Sequence, residues 1–303
     1  MATASAQLEW APCPVCEDGR ARALFDKQGF TVVGCPNCGL RYVNPRPTAG
    51  WLAAWYGTKY YQAERADSAG AQHLHFPEMK IATARLRLDL IRPFCATGWL
   101  VDVGAGGGFM VEAAQAAGWH AVGLEPSTTA ARRAVRERKV RMVGGRLEEA
   151  PFSSGRFNVV TMLDVLEHVT CPGKCLTQAR RLLGPGGILL VETPNMAGWL
   201  PRLMGARHPW VRPPEHLTYF TPATLRVLLE RAGFHLLHLL ARTSKVLTLD
   251  YVLSLTGSTN PVLTAVARGA VGWWRALCRA PFKLPLDTLV AVATIDRPEE
   301  GAR

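Results

Sequence analysis

Leu100-Val101-Asp102-Val103-Gly104-Ala105-Gly106-Gly107-Gly108-Phe109-Met110 is the stretch whose reading decides the fold. An apolar run leads into an acidic residue, and glycine then recurs at alternate positions before a helical stretch from Phe109 to Ala117. Glycine permits a tight turn and lets bare backbone approach a ligand, while the following helix aims its N-terminal N–H groups at the same point. The pattern predicts strand, turn and helix around a nucleotide-type cofactor. A dinucleotide fingerprint would place its third glycine at the position of Phe109, so the spacing argues against that kind of site.

Outward from this stretch, strands and helices alternate. His120 to Leu124 reads as a second strand ending in Glu125, a carboxylate suited to a diol. Arg141 to Gly144 reads as the third strand, and Phe157 to Leu163 as the fourth, followed by Asp164-Val165-Leu166-Glu167-His168-Val169. A helix from Pro172 to Leu183 stops at Gly184-Pro185-Gly186-Gly187, before a fifth strand from Ile188 to Thr193. Later come a helix from Ala223 to Ala232 and strands from Phe234 to Leu240 and from Leu289 to Ile295. The alternation predicts an α/β fold, a mostly parallel sheet with helices on both faces.

In this order the segments resemble the class I S-adenosylmethionine (SAM)-dependent methyltransferases, over about two thirds of the chain. The resemblance implies a Rossmann-like seven-stranded sheet over residues 99–298, its last two strands antiparallel, with a helical insertion at about 244–285 and a tail at 299–303. It places cofactor contacts at Asp102, Gly104, Ala105 and Gly106, and the ribose at Glu125 with Pro126 beside it. The adenine falls to Leu147 and Glu148, and the methionine half to Leu163, Asp164 and His168. Glu167 and His168 read alternatively as residues that start or cap a helix. Residues 46–98 form a linker and helical lid, with a helix from Met79 to Ile91. The aromatic stretch Trp51 to Tyr61 resembles the lid that closes over SAM, which implies a contact from Tyr60; packing aromatics would look the same.

A second pattern stands at the N-terminus, over residues 1–45. Cys13-Pro14-Val15-Cys16 and Cys35-Pro36-Asn37-Cys38 have zinc-ribbon spacing, with short strands expected within Phe25 to Gly34 and Leu40 to Val43. Two such turns present four thiolates to one tetrahedral Zn, leaving no position open for catalysis. The alternative, two structural disulfides, needs a secreted context.

The loop after the fifth strand, Pro194 to Phe220, is expected to overhang the sheet's carboxyl ends, where ligands of open α/β sheets bind. It ends in Glu215-His216, ahead of Thr221 as N-cap and Pro222 in the first helical turn. Histidine is the natural base near neutral pH. The pair is similar to the Glu-His pair of zinc-ribbon sugar C-methyltransferases, which implies that His216 deprotonates the acceptor beside Glu215. Those enzymes carry a tyrosine where this chain has Pro213. A histidine bonded to a backbone carbonyl for structural reasons is the alternative.

Composition narrows the class. The chain has 303 residues, 48% hydrophobic, a net charge of +11 and a pI near 9.6. Its first ten residues have neither a basic start nor an apolar run, and no apolar stretch reaches the roughly 18 residues of a membrane span, so a cytoplasmic protein is expected. A basic amphipathic helix is read over 261–280, with Val262, Val266, Ala270, Trp273 and Leu277 on one face and Arg268, Arg275 and Arg279 opposite. It packs on the protein's own core or meets a membrane surface or lipid-linked substrate. The function expected is O- or C-methylation of a small-molecule or sugar-linked acceptor. One alternative is an RNA methyltransferase using the ribbon, although Leu163-Asp164-Val165-Leu166 does not resemble the Asn/Asp-Pro-Pro-Tyr/Phe of base-amino methylases. The other is a non-catalytic zinc scaffold.

Overall fold

The computed structural model describes residues 7–56, 76–248 and 280–296. Tyr60 and Tyr61, the helix read over 261–280 and the tail at 299–303 lie outside them. The N-terminal part contains β1 (Leu8–Glu9), β2 (Arg22–Lys27), β3 (Phe30–Gly34), β4 (Arg41–Val43) and β5 (Arg46–Pro47). Phe25 to Gly34, where short strands are expected, is a hairpin. Gln28 and Gly29 have φ of 53° and 80°, the left-handed pair that a two-residue hairpin turn needs to match strand twist. β1 pairs with β5, and β2, β3 and β4 form an antiparallel ladder. Helical residues 49–56 (α1) and α2 (Pro77–Ile91) follow.

The core then runs β6 (Trp99–Val103), α3 (Phe109–Ala116), β7 (His120–Glu125), α4 (Thr128–Arg138), β8 (Met142–Gly144), β9 (Phe157–Leu163), α5 (Pro172–Leu182) and β10 (Leu183–Pro194). After it come α6 (Trp199–Met204), β11 (Thr218–Tyr219), α7 (Pro222–Arg231), β12 (His235–Leu240), β13 (Thr243–Leu247), β14 (Phe282–Leu286) and β15 (Thr288–Thr294). The seven-stranded sheet has the order β12-β15-β10-β9-β6-β7-β8. β6 to β10 are parallel, and β15 is antiparallel to both β10 and β12. Helix-covered parallel strands read as continuous apolar runs, and Val159, Val160, Leu189, Leu190 and Val191 are fully buried. Caps fix the helix starts: Ser127 accepts from the Ala130 N–H, and Thr221 and Thr224 form a reciprocal capping box before Pro222.

The strand order places β6 between β7 and β9, so the chain leaves in opposite directions on either side of it. That reversal opens a crevice outside the strands' carboxyl ends, where a ligand binds. β13 and β14 pair antiparallel, so the insertion departs and returns at one place. Two joints tie the periphery to this sheet. β11, from the loop after β10, is the fourth strand of the N-terminal ladder, paired with β4. Cys13, Val33, Leu40 and Tyr42 share one buried cluster with Leu166, Cys175, Phe220 and Leu225, so the ribbon and the sheet have a common core.

Candidate active site and cysteine cluster

The glycine turn is fastened to the neighbouring strand from behind. Gly104 and Ala105 donate their N–H groups to the Leu124 carbonyl at 2.8 and 3.1 Å. A Cβ on Gly104 would come within 2.7 Å of the Val165 side chain, whereas one on Gly106 would meet only the Gly104 carbonyl, at 4.0 Å. Gly104 is therefore bare because of what lies behind it, and Gly106, with φ of 50°, leaves the outer face of the turn open. Glu125, 4% exposed, accepts from the Gly106 N–H at 2.8 Å and the Ser127 N–H at 2.9 Å. Each oxygen keeps a further lone pair, the pair of acceptors that a diol requires. Burial raises its pKa, and the two N–H groups oppose that shift. These residues fit the ribose end of SAM.

Asp102 is 4% exposed and accepts from Thr161 Oγ1 at 2.7 Å. Burial pushes its pKa up to about 7 against the Thr161 hydrogen bond, with Glu125 adding to the rise. Leu147 is buried in the 3-10 turn Leu147–Glu149, while Glu148 is solvent-facing, 3.7 Å from Arg146. Asp164, at φ 54°, lies after half-buried Leu163 and 3.3 Å from Lys245 Nζ. Burial would raise its pKa, but Lys245 and Lys80 reverse the shift and lower it.

The Glu-His pair is brought to the crevice by its neighbours. Leu217 N–H donates to the Glu167 carbonyl at 2.7 Å, and the Leu217 carbonyl accepts from Val43 of β4 at 2.8 Å. His216 is 4% exposed, and its Nδ1–H donates to the Trp210 carbonyl at 2.8 Å, which fixes the tautomer and leaves Nε2 as the lone pair. Burial, with His168 and Arg212, pushes its pKa down to about 3, so the ring is neutral at physiological pH. The Glu215 carboxylate lies 3.0 Å from Arg212. Its carbonyl accepts from His168 Nδ1–H at 2.8 Å and from the Tyr56 hydroxyl at 3.0 Å. His168, expected beside the cofactor, stands edge-on to His216 with ring centroids 4.7 Å apart.

Sequence reasoning missed two participants, Tyr56 and Lys245, and read Glu167 only as part of the segment after the fourth strand. Tyr56 belongs to the aromatic stretch Trp51 to Tyr61, where the resemblance implies a contact from Tyr60. Glu167 is 2% exposed, and Lys245 reaches Glu192 at 2.6 Å from β13. Glu167 meets Thr193 across 26 residues of chain, Lys245 meets Asp164 across 81 and Tyr56 meets Glu215 across 159, so no local spacing signals them.

The four N-terminal cysteines converge and none is in a disulfide. Their sulfurs lie within 4.8 Å of one another, with Cys13–Cys38 at 3.5 Å and Cys16–Cys35 at 3.4 Å. A tetrahedron of about 2.3 Å Zn–S bonds spaces its sulfurs by roughly 3.8 Å, so the cluster fits zinc with small adjustment. Backbone N–H groups of Val15 and Cys16 reach Cys13, that of Asp18 reaches Cys16 and that of Leu40 reaches Cys38, donors that stabilise thiolates.

A reversed parallel sheet, a glycine turn after a buried aspartate and a diol-type carboxylate one strand away together define a class I SAM-dependent methyltransferase. Residues 75–239, more than half of the chain, match the family described as a methyltransferase domain, and the chain belongs to that family. It is 31% identical over 157 residues to the ubiquinone biosynthesis O-methyltransferase of Azorhizobium caulinodans, a match covering 45% of this chain and 58% of that protein. It is 30% identical over 194 residues to the protein of the same name from Aromatoleum aromaticum, covering 59% of this chain and 83% of the relative. Among solved structures, a chain of the complex between the Haloferax volcanii Trm112 methyltransferase activator and its methyltransferase superposes with a TM-score of 0.52 at 17% identity. That match covers 81% of this chain and 98% of the other and speaks to the fold alone. Among the described residues no helix is long and apolar enough to cross a membrane.

Proposed function

We propose that this protein methylates a small-molecule acceptor, with His216 removing the acceptor's proton. The observation that carries the reading is the Nε2 lone pair of a neutral, buried His216, held by the Trp210 carbonyl in the loop after β10. Bound SAM supplies the methyl group together with its own leaving group. What remains for the chain is to exclude water, align the acceptor and accept one proton. Relatives named as O-methyltransferases favour a hydroxyl acceptor, and Pro213 in place of a tyrosine counts against the sugar-carbon acceptor of the resemblance.

Glu215 is a positioning residue in this reading, because its carbonyl orients His168 while its carboxylate is engaged by Arg212. The test is His216→Asn, assayed with a panel of catechols, phenols and sugar hydroxyls. Turnover should fall roughly 100-fold while SAM affinity stays within about twofold. Wild-type turnover in that variant would reduce His216 to scaffolding. Glu215→Gln, which keeps the carbonyl, should slow the reaction by less; equal loss would put its carboxylate on the acceptor.

A further inference from the structure

Beside the proton-accepting nitrogen lies a group that methyl transfer by a lone histidine does not explain. Glu167 follows β9 on the segment that reaches the crevice, and its Oε2 accepts from Thr193 Oγ1 at 2.9 Å. Its Oε1 is fully buried and has no hydrogen-bond partner. An unpaired carboxylate oxygen in such surroundings costs several kcal/mol, on the order of a lost charged hydrogen bond, unless something compensates it. His168 Nε2 faces it at 4.0 Å, beyond hydrogen-bond range.

The histidines do not supply the missing proton. His168 Nδ1 and the Tyr56 hydroxyl both point at the Glu215 carbonyl, at 2.8 and 3.0 Å, so the ring's proton sits on Nδ1. His216 likewise spends its Nδ1–H on the Trp210 carbonyl. In both rings Nε2 is left as an acceptor. One ligand atom from each of Glu167, His168 and His216 lies within 4.8 Å of the others. Two imidazole nitrogens and one carboxylate oxygen thus converge. Carbonyls on the far nitrogens and a hydroxyl on the far carboxylate oxygen are the supports that orient metal ligands.

We propose that Glu167, His168 and His216 hold a divalent first-row transition cation, distinct from zinc in the cysteine cluster. Two imidazoles and one carboxylate on one side leave the other positions open. The inference rests on the preceding reading of methyl transfer to a hydroxyl and revises its proton step, which passes from His216 alone to the cation that His216 helps to hold. The acceptor's hydroxyl would displace hydroxide from the cation, the proton leaving as water, and the oxygen would then take the methyl group as the C–S bond of SAM breaks. His216 is then a ligand rather than the proton acceptor, and its substitution remains costly for turnover.

The test uses the full-length protein with its cysteine cluster filled with zinc, washed with a chelator and titrated with Co(II) alone. Cobalt held by nitrogen and oxygen gives d–d absorption without the thiolate charge-transfer bands that exchange into the cysteine cluster would produce. One equivalent of the former per chain is expected. Glu167→Gln and His168→Ala should each weaken it by tenfold or more, and Thr193→Val, which only frees the support on Oε2, by about tenfold. Circular dichroism verifies that each variant is folded. Thr193→Val keeps the shape of a buried side chain should the others fail to fold. Thiolate bands alone, no cobalt uptake, or uptake unchanged in Thr193→Val and in whichever ligand variants fold would overturn the proposal. No substrate enters this titration, so a failed acceptor assay leaves the site standing and a failed titration leaves methyl transfer standing.

Discussion

At the scale of single residues, the two buried carboxylates of the glycine turn do different work. Glu125 is held by N–H groups of the loop and of its own strand end, so its oxygens are pre-aimed. Glu125→Ala should weaken SAM binding by about 1–3 kcal/mol, the cost of losing charge-assisted hydrogen bonds, with little change in fold. Calorimetry returning wild-type affinity would remove Glu125 from the cofactor site. Asp102 is a charge kept out of water. Its folded-state pKa of about 7 exceeds the value of about 3.9 of an unfolded chain, so the unfolded form gives up this proton first as the pH rises. Stability should therefore fall between about pH 4 and 7 and carry a constant penalty above that. Asp102→Asn still accepts from Thr161 and cannot ionise. Its melting temperature without cofactor should drop less than the wild type's between about pH 5 and 8. Identical slopes would mean that Asp102 ionises at an ordinary pH.

At the scale of elements, β11 matters more than its two residues suggest. It links the cysteine-bearing ladder to the loop that carries Glu215 and His216, through Thr218↔Tyr42 and Tyr219↔Arg41. Disruption of the four-cysteine cluster should therefore be felt in the crevice. Cys16→Ser, which removes one of the four sulfurs that fit zinc, is expected to abolish zinc uptake by the cluster and to lower acceptor turnover by about tenfold, equivalent to about 1.4 kcal/mol of misplacement, while SAM affinity barely changes. Metal analysis and separate measurement of cofactor affinity and turnover check this; equal loss of both would mean that the whole sheet had yielded. The helices and the buried parallel strands were legible because their periodicity and caps are local: β9 and the start of α3 fall on the predicted residues. A strand of two residues has no period to read. The hairpin at Gln28-Gly29 was missed because glutamine is seldom found in a left-handed turn. Glycine spacing and cysteine spacing announced their sites, whereas Glu167 meets Thr193 only through the pairing of whole strands.

At the scale of the molecule, three separate pieces meet on one buried charge cluster. Arg87 of α2, 2% exposed, forms an ion pair with Glu192 of β10 and donates to the Ser244 carbonyl and Thr243 Oγ1 of β13. Lys245 reaches the same carboxylate from β13. The cluster pins α2 and the start of the insertion to the central sheet. Arg87→Met should cost up to about 3–5 kcal/mol, because the remaining buried ions lose part of their compensation. Arg87→Met with Glu192→Leu should recover some of it, since the charge left behind is then removed as well. A denaturant midpoint for the single variant equal to wild type would show that Lys245 alone suffices.

The β4–β11 pairing has one more consequence, for the behaviour of the chain in solution. A bare sheet edge offers its row of N–H and C=O groups to any other strand that passes. β2, the outer strand on one side of the ladder, carries Arg22, Asp26 and Lys27, charges that discourage such pairing. On the other side β4 is Arg-Tyr-Val, with Tyr42 and Val43 buried, and β11 is what covers it. A fragment cut after the cysteine module would expose that sticky flank. So would any excursion in which the histidine loop peeled away from β4. The same short strand that delivers His216 to the crevice keeps neighbouring copies of the protein from zipping together.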